Sequence, residues 1–252
     1  MRPKKLTMSE IIFSLLCLTI LFLTGRGIQI TIPLAIVLLF RDITFNSDIE
    51  IKKNKKFVNA FILVFILYMG IHGYYDHINI ATKIDYSLYK WLLIQLPITM
   101  TIFTAYIFGV RIKDFNWKLS FSSLLLVLVV WLSIEIIPII DHIRFNSLAD
   151  FINQIIGKIP IKIYYPSLVE EVLFRGLCFS GLLAIGLDED KSNIIQAVVF
   201  GFVHLFNYEQ FSINIILLIV PQIYIGFLIG KIYINTKSLT PCIILHALID
   251  SI

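Results

Sequence analysis

The chain has 252 residues, of which 58% are hydrophobic and 15% are charged, and its formal net charge is +4. A soluble domain carries about 25% charged residues, so this composition excludes an ordinary soluble protein. Apolar runs of about 18 residues or more recur along the chain, as they do in polytopic helical membrane proteins. The sequence therefore predicts an all-α, polytopic transmembrane helical bundle.

Nine apolar runs follow one another along the chain, and each is a candidate span. They are roughly Ile11–Gly25, Ile28–Phe40, Phe57–Tyr75, Trp91–Val110, Phe121–Ile140, Tyr164–Leu187, Asn193–Tyr208, Ile213–Ile234 and Leu239–Ile252. The first two form one kinked helix if Gly25-Arg26-Gly27 is not a loop, and the number of spans is then eight. The last run is short, because a full crossing needs about 20 residues.

Lys and Arg residues are unevenly divided between the loops. With nine spans and a cytoplasmic N-terminus, the cytoplasmic segments hold more than twice as many of them as the outer segments. The positive-inside rule then favours this orientation, while merging the first two spans would reverse the side of every later loop. The basic residues flank apolar runs, which indicates membrane-surface loops and no nucleic-acid partner. The small size and the Lys-, Ile- and Asn-rich composition favour a bacterial plasma membrane.

We interpret the chain as one membrane domain with two parts. Residues 1–163 are predicted to be scaffold spans, and residues 164–252 hold nearly all the polar side chains that interrupt apolar runs. Between them, Leu148–Ile156 is weakly amphipathic and predicts either an interfacial helix or a polar loop. The three cysteines lie in apolar runs without a metal or disulfide spacing, so we interpret them as packing residues; they are Cys17, Cys178 and Cys242.

The sixth apolar run contains charges that hydrocarbon does not accommodate. Each charge near a bilayer centre costs roughly 2.5 kcal/mol or more, so such residues usually face a bundle interior and serve a function. Glu171 and Arg175 are four residues apart and can pair on one helix face. Glu170 is rotated about 100° from Glu171 and must find its partner elsewhere in the chain. Alternatively, Ser167 and Glu170 form a helix capping box.

Two of the five histidines lie inside C-terminal apolar runs. His204 follows Phe200 by one helical turn, so the aromatic ring can pack on the imidazole. His246 and Asp250 are four residues apart and share one helix face. One arrangement of the helices brings both histidines and Asp250 to Glu170 in a single polar pocket.

Two further features of the runs have simpler interpretations. Gly226-Phe-Leu-Ile-Gly230 is a small-xxx-small face that lets helices approach closely, and we assign it to packing. Glu135 is another carboxylate inside a run. It either lines a water-filled path or pairs with a C-terminal helix, and we do not consider it catalytic.

Three motifs in this order resemble those of the CAAX protease and bacteriocin-processing (CPBP) family, also called Abi. They are Glu170-Glu171-x-x-x-Arg175, Phe200-x-x-x-His204 and His246-x-x-x-Asp250, each on a separate apolar run. The family includes intramembrane proteases such as the type II CAAX prenyl endopeptidases, and bacteriocin-processing and self-immunity proteins. The resemblance covers about residues 164–252. It departs from the family at Asp250, where relatives often have Asn.

The resemblance implies hydrolysis of a peptide bond within the membrane. Glu170 together with His204 would activate a water molecule as general base. His246, oriented by Asp250, would stabilise the oxyanion of the tetrahedral intermediate. The supporting residues would be Glu171, Arg175 and Phe200, which hold the helix and the local charge balance.

The same side chains also suit a metal-dependent mechanism. Two histidines and one glutamate can bind zinc and leave a position open for water, although no His-Glu-x-x-His motif is present. The ligands would be Glu170, His204 and His246. The expected cofactor is therefore either none or zinc, and we favour the metal-free mechanism.

The expected partners are the lipid bilayer and a peptide or small protein presented at the membrane. In a bacterium, maturation of a secreted peptide, such as a bacteriocin or pheromone precursor, is favoured over cleavage of a prenylated CAAX substrate. One alternative is a non-enzymatic self-immunity or membrane scaffold protein. Another is a transporter in which Glu170, Glu135 and the histidines relay protons.

Overall fold

The computed structural model describes residues 7–23, 32–33, 35–36, 50–81, 86–207 and 213–252. These residues form helices and connecting loops without a strand, which confirms the predicted all-α class. The α-helices are α1 (Met8–Leu23), α2 (Lys56–Ala81), α3 (Tyr86–Ile107), α4 (Phe121–Phe145), α5 (Leu148–Lys162), α6 (Leu168–Glu171), α7 (Ser180–Ala184), α8 (Glu189–Val203), α9 (Ile213–Thr236) and α10 (Leu239–Ile249). The predicted second span, Ile28–Phe40, and the Gly25-Arg26-Gly27 junction lie outside the described residues, apart from 32–33 and 35–36.

Two helices in the described part of the chain are long and apolar enough to cross a membrane. They are Phe121–Phe145 and Leu217–Thr236. Four shorter apolar helices accompany them, namely Met8–Leu23, Lys56–Gly70, Ile98–Ile107 and Leu239–Ile249. The number of eight to nine spans stays a prediction.

The helix that carries the two glutamates is irregular. A kinked segment, Ile163–Ser167, leads from α5 into α6, and a π-helical segment, Val172–Phe179, joins α6 to α7. Tyr165 breaks the helical geometry with φ −152° and ψ 131°, because a residue before proline disfavours the α-helical region. We call residues 168–184 the Glu–Arg helix. π-helical turns are rare overall, but those that occur are often found at functional sites.

The segment before this helix is helical and not a loop. Ser147 caps the N-terminus of α5 by accepting a hydrogen bond from the backbone N–H of Asp150, and Phe151 and Ile155 are buried. The polar-loop interpretation of Leu148–Ile156 is therefore wrong. Its amphipathic pattern instead reflects one face packed on the protein.

Helices α8 and α9 pack most closely. A Cβ atom at Gly230 would lie 1.7 Å from Asn193 Oδ1, and one at Gly226 would lie 2.9 Å from Phe200 Cδ1. Only glycine fits such a contact, which confirms that this small-residue face serves packing. The three cysteines are also buried and unpaired, as predicted.

Helix α2 packs on the Glu–Arg helix through a narrow apolar stripe. Phe57, Ala60 and Val64 are nearly inaccessible, and the same stripe ends at Tyr68, which is 3% exposed. The three- and four-residue spacing places these side chains on one helix face. Since this face contacts the Glu–Arg helix, a tyrosine of the predicted scaffold part lies beside the two glutamates.

A second group of charges ties α1 to α8 and α9. The Lys231 ammonium contacts the Glu10 carboxylate and lies 3.0 Å from Asp190 Oδ1. The side chains of Lys231 and Glu10 are 7% and 2% exposed. Buried charges of opposite sign must pair in this way because desolvation of an isolated ion is costly.

Candidate active site

The predicted pair of Glu171 and Arg175 is confirmed. Arg175 Nη1 donates to Glu171 Oε1 over 2.9 Å, and both side chains are 0% exposed. Arg175 Nη2 also donates to the Gly226 carbonyl at 2.8 Å, and the guanidinium carbon lies 4.9 Å from the centre of the Phe200 ring. Arg175 therefore balances the charge of Glu171 and fastens the Glu–Arg helix to α9.

His246 lies between both glutamates. Its Nδ1 is 2.7 Å from Glu171 Oε1, and because an ionised carboxylate only accepts, Nδ1 donates this bond. The other ring nitrogen, Nε2, is 3.7 Å from Glu170 Oε2. The ring is thus oriented by Glu171 and presents Nε2 towards Glu170.

Glu170 finds its partners in two distant helices, as its position in the sequence requires. The Tyr68 hydroxyl donates to Glu170 Oε1 over 2.9 Å, and His246 faces the other carboxylate oxygen. Glu170 is 7% exposed. Sequence analysis missed Tyr68 because one tyrosine in an apolar run is unremarkable. Its place at the end of the Phe57, Ala60 and Val64 stripe is the signal that could have indicated it.

The capping-box interpretation of Ser167 is wrong. Ser167 has helical angles, φ −57° and ψ −47°, and its side chain makes no capping hydrogen bond. Its hydroxyl is buried without a hydrogen-bond partner in the described part of the chain. The reason is that the chain is helical again directly after the break at Tyr165, so Ser167 lies inside the first turn and not at the cap position.

His204 stands at the C-terminal end of α8, where a short 3₁₀ turn begins. Its Nδ1 is 2.9 Å from the Phe200 carbonyl oxygen, which can only accept, so Nδ1 donates and Nε2 is the basic nitrogen. The two rings are 4.9 Å apart, which confirms that Phe200 packs on His204. The Phe200 ring is also 5.8 Å from His246.

Phe200 therefore lies between the two histidines. Within residues 86–207 and 213–252, no hydrogen bond or ion pair joins His204 to Glu170. Nor does the described part of the chain contain three or more His, Cys, Asp or Glu side chains placed to hold a metal ion. The three predicted zinc ligands do not meet in this arrangement, so we derive no step through zinc.

Asp250 lies at the edge of the cluster. Its Oδ1 is 4.0 Å from His246 Nε2, and its Oδ2 is 3.7 Å from Lys162 Nζ. The first distance exceeds that of a hydrogen bond, and the carboxylate is 28% exposed. In the structure the bond that orients His246 comes from Glu171, where the sequence predicted Asp250.

His246 and two glutamates, one of which is paired with Arg175, thus lie together inside an apolar helical bundle. Residues 153–252 match the model of the Rce1-like family, described as type II CAAX prenyl endopeptidase Rce1-like. This match confirms the predicted resemblance, and it covers the C-terminal part of the chain. The family is a membrane-embedded family of proteases. No curated protein and no solved structure matches the chain significantly.

Proposed function

We propose that this protein is an intramembrane endopeptidase that hydrolyses a peptide bond of a peptide or small protein presented at the membrane. The observation that carries the proposal is the close approach of Glu170 Oε2 to His246 Nε2, which lie 3.7 Å apart. Each of the two has its own positioning partner, Tyr68 for the glutamate and Glu171 for the histidine. The match of this region to a protease family supports the same reaction.

Glu170 acts as the general base. It takes a proton from water as the water oxygen attacks the carbonyl carbon of the scissile bond, and it returns that proton to the leaving amine. Tyr68 donates a hydrogen bond to one carboxylate oxygen of Glu170, so the second oxygen is available to take the proton from water. The apolar surroundings strengthen every electrostatic contact because water does not screen it.

His246 stabilises the negative charge that develops on the carbonyl oxygen. Its Nδ1 is occupied by Glu171, so a protonated Nε2 is the group that donates to the oxyanion. Glu171 keeps its own charge balanced through Arg175. Asp250 contributes at longer range.

His204 supports water activation from the other side of Phe200. Because its Nδ1 is held by a backbone carbonyl, Nε2 is free to accept a proton. No hydrogen bond joins it to Glu170 in the described residues, so it acts on the water or the substrate and not on the carboxylate itself. In a bacterial plasma membrane with a cytoplasmic N-terminus, maturation of a secreted peptide is the favoured task.

The decisive experiment is cleavage of candidate peptide precursors by purified protein in detergent. Glu170→Gln keeps the size of the side chain and removes the base, so kcat/KM is expected to fall about 10²- to 10⁴-fold. The matched control is Glu135→Gln, which alters another buried carboxylate in an apolar helix (8% exposed) and should leave cleavage within about twofold, in the range of a change that touches no reacting group. His204→Ala tests the second base in the same assay.

Each variant is measured with and without a strong chelator. Cleavage that resists the chelator supports glutamate-activated water, whereas loss that zinc restores supports the metal-dependent alternative. If Glu170→Gln cleaves as fast as the unchanged protein, the catalytic assignment is wrong. A cellular phenotype that survives Glu170→Gln in a correctly inserted protein would support the self-immunity or scaffold alternative.

A further inference from the structure

An apolar cavity of about 690 Å³ lies beside the Glu–Arg helix. One wall is formed by Leu168, Val169 and Val172, and the facing wall by side chains of α3 such as Ile98 and Ala105. The volume is in the range of small-molecule sites, about 300–1,000 Å³. Glu170 is on the other side of the same helical turn, so this cavity is distinct from the candidate active site.

The polarity of the cavity changes from one end to the other. The part between α3 and the Glu–Arg helix is apolar, whereas the end formed by the loop after α3 contains Arg111 and Lys113. Tyr106 and Trp117 line this same end. Tyrosine and tryptophan are enriched at the boundary between hydrocarbon and headgroups, so the charged end lies where a membrane surface is expected.

The surroundings of the charged end are strongly basic. Residues 50–56 and 111–118 together contain seven Lys or Arg and two acidic residues. An ion pair between Lys52 and Asp114 holds the two segments together and neutralises one of the acids. Lys113 is exposed, so its ammonium is accessible to a ligand at the cavity entrance.

We propose that the cavity binds an anionic glycerophospholipid, with one acyl chain between α3 and the Glu–Arg helix and the phosphate at Lys113 and Arg111. The apolar length accepts the chain, and the basic loop accepts the headgroup, as juxtamembrane basic clusters attract anionic lipids. The bound acyl chain packs on Val169, next to Glu170. It therefore stabilises the Glu–Arg helix, because a ligand that binds the folded state stabilises that state. The inference rests on a membrane location and does not require peptidase activity.

Trp117 provides the readout because it lines the cavity. The full-length protein in detergent micelles is titrated with phosphatidylglycerol brominated on its acyl chains, or with the corresponding phosphatidylcholine, and quenching of tryptophan fluorescence is recorded. The share due to Trp117 is the difference from Trp117→Phe. Phosphatidylglycerol is expected to quench this share at a mole fraction about five- to tenfold lower than phosphatidylcholine.

Two exposed lysines of the same loop form a matched pair. Lys113→Glu is expected to abolish the preference for the anionic lipid, whereas Lys118→Glu, whose side chain is not part of the cavity lining, should retain it. Ala105→Phe fills the cavity and should remove the Trp117 quenching by both lipids. Circular dichroism and the thermal midpoint confirm that Ala105→Phe is folded, and Lys113→Glu tests the site without adding bulk to the core.

Equal quenching by the two lipids, or the same loss of preference in both lysine variants, would overturn the proposed headgroup site. Quenching that persists in folded Ala105→Phe would overturn the placement of the acyl chain in the cavity. None of these measurements involves cleavage, so failure of the lipid site and failure of the endopeptidase proposal are distinguishable.

Discussion

Two clusters of buried charges lie in the helical bundle, and they are built differently. In one, Lys231 is held between Glu10 and Asp190. In the other, His246 and Arg175 share a single oxygen of Glu171. The first joins three helices through a cation with a carboxylate on either side. The second also has two carboxylates for one fixed cation, but it includes a histidine and leaves one oxygen of Glu171 without a hydrogen-bond partner in the described residues.

The two clusters differ in how completely their polar atoms are hydrogen-bonded. Glu10 is further occupied because its Oε2 accepts from the backbone N–H of Thr7 at 3.1 Å. By contrast, Glu171 Oε2 has no hydrogen-bond partner among residues that the structure describes, and His246 Nε2 faces Glu170 at 3.7 Å. Burial of charge therefore does not identify an active site by itself. The incompletely paired cluster beside His246 is the one that we propose as the active site.

The largest effect is expected for Arg175→Ala. This change leaves the Glu171 carboxylate buried without its cation, and breaking a buried pair in this way costs about 3–5 kcal/mol. We expect a large drop in the thermal midpoint and loss of cleavage. The double variant Glu171→Gln/Arg175→Met should recover most of the stability and none of the activity. Recovery of cleavage in the double variant would contradict the role of Glu171 in orienting His246.

Lys231→Met should lower the stability of the protein without changing its catalysis. It removes the cation between Glu10 and Asp190. Asp190 is 23% exposed and can be solvated, but Glu10 is left buried, so we expect a cost of about 3 kcal/mol, at the low end of that for a broken buried pair. Cleavage per folded molecule should stay within about twofold, as expected for a residue away from the reacting groups. Folded-protein yield and active fraction are measured together. A tenfold loss of activity per folded molecule would show that both clusters serve the reaction.

Tyr68→Phe is expected to have an intermediate effect. It removes the hydrogen bond to Glu170 and should lower kcat/KM about tenfold with about 1 kcal/mol of destabilisation. Tyr224→Phe is the matched control, because the Tyr224 hydroxyl is buried without a hydrogen-bond partner in the described residues. The pH profile of kcat/KM should change for Tyr68→Phe and not for Tyr224→Phe. Identical pH profiles of the two variants would mean that Tyr68 serves only in packing.

Asp250→Asn should have the smallest effect. Its oxygen is 4.0 Å from His246 Nε2, so we expect a loss of cleavage of no more than about threefold, the size of a weak long-range contribution. Kinetics at saturating and limiting substrate measure kcat and kcat/KM separately. A loss comparable with that of Glu170→Gln would mean that Asp250 moves into hydrogen-bonding contact with His246 during the reaction.

Local relations between residues were predictable from the sequence, and relations between distant helices were largely not. Helical periodicity alone predicts that Glu171 and Arg175 pair and that Phe200 packs on His204, since side chains four residues apart share a helix face. The same reasoning failed at Ser167, because the helix restarts directly after the break at Tyr165 and Ser167 is already helical. A cap residue has non-helical backbone angles, so Ser167 cannot act as one.

The sequence by itself determined an all-α chain rich in apolar helices, a glycine face for close helix packing, and the set of residues capable of chemistry. Tertiary structure alone decided that both glutamates meet His246, that Phe200 stands between the histidines, and that α2 supplies Tyr68. The physical reason is that composition and hydrophobic periodicity describe each helix separately. The partner of a buried polar group is set instead by which helix faces pack together, and most such groups find a partner somewhere in the bundle.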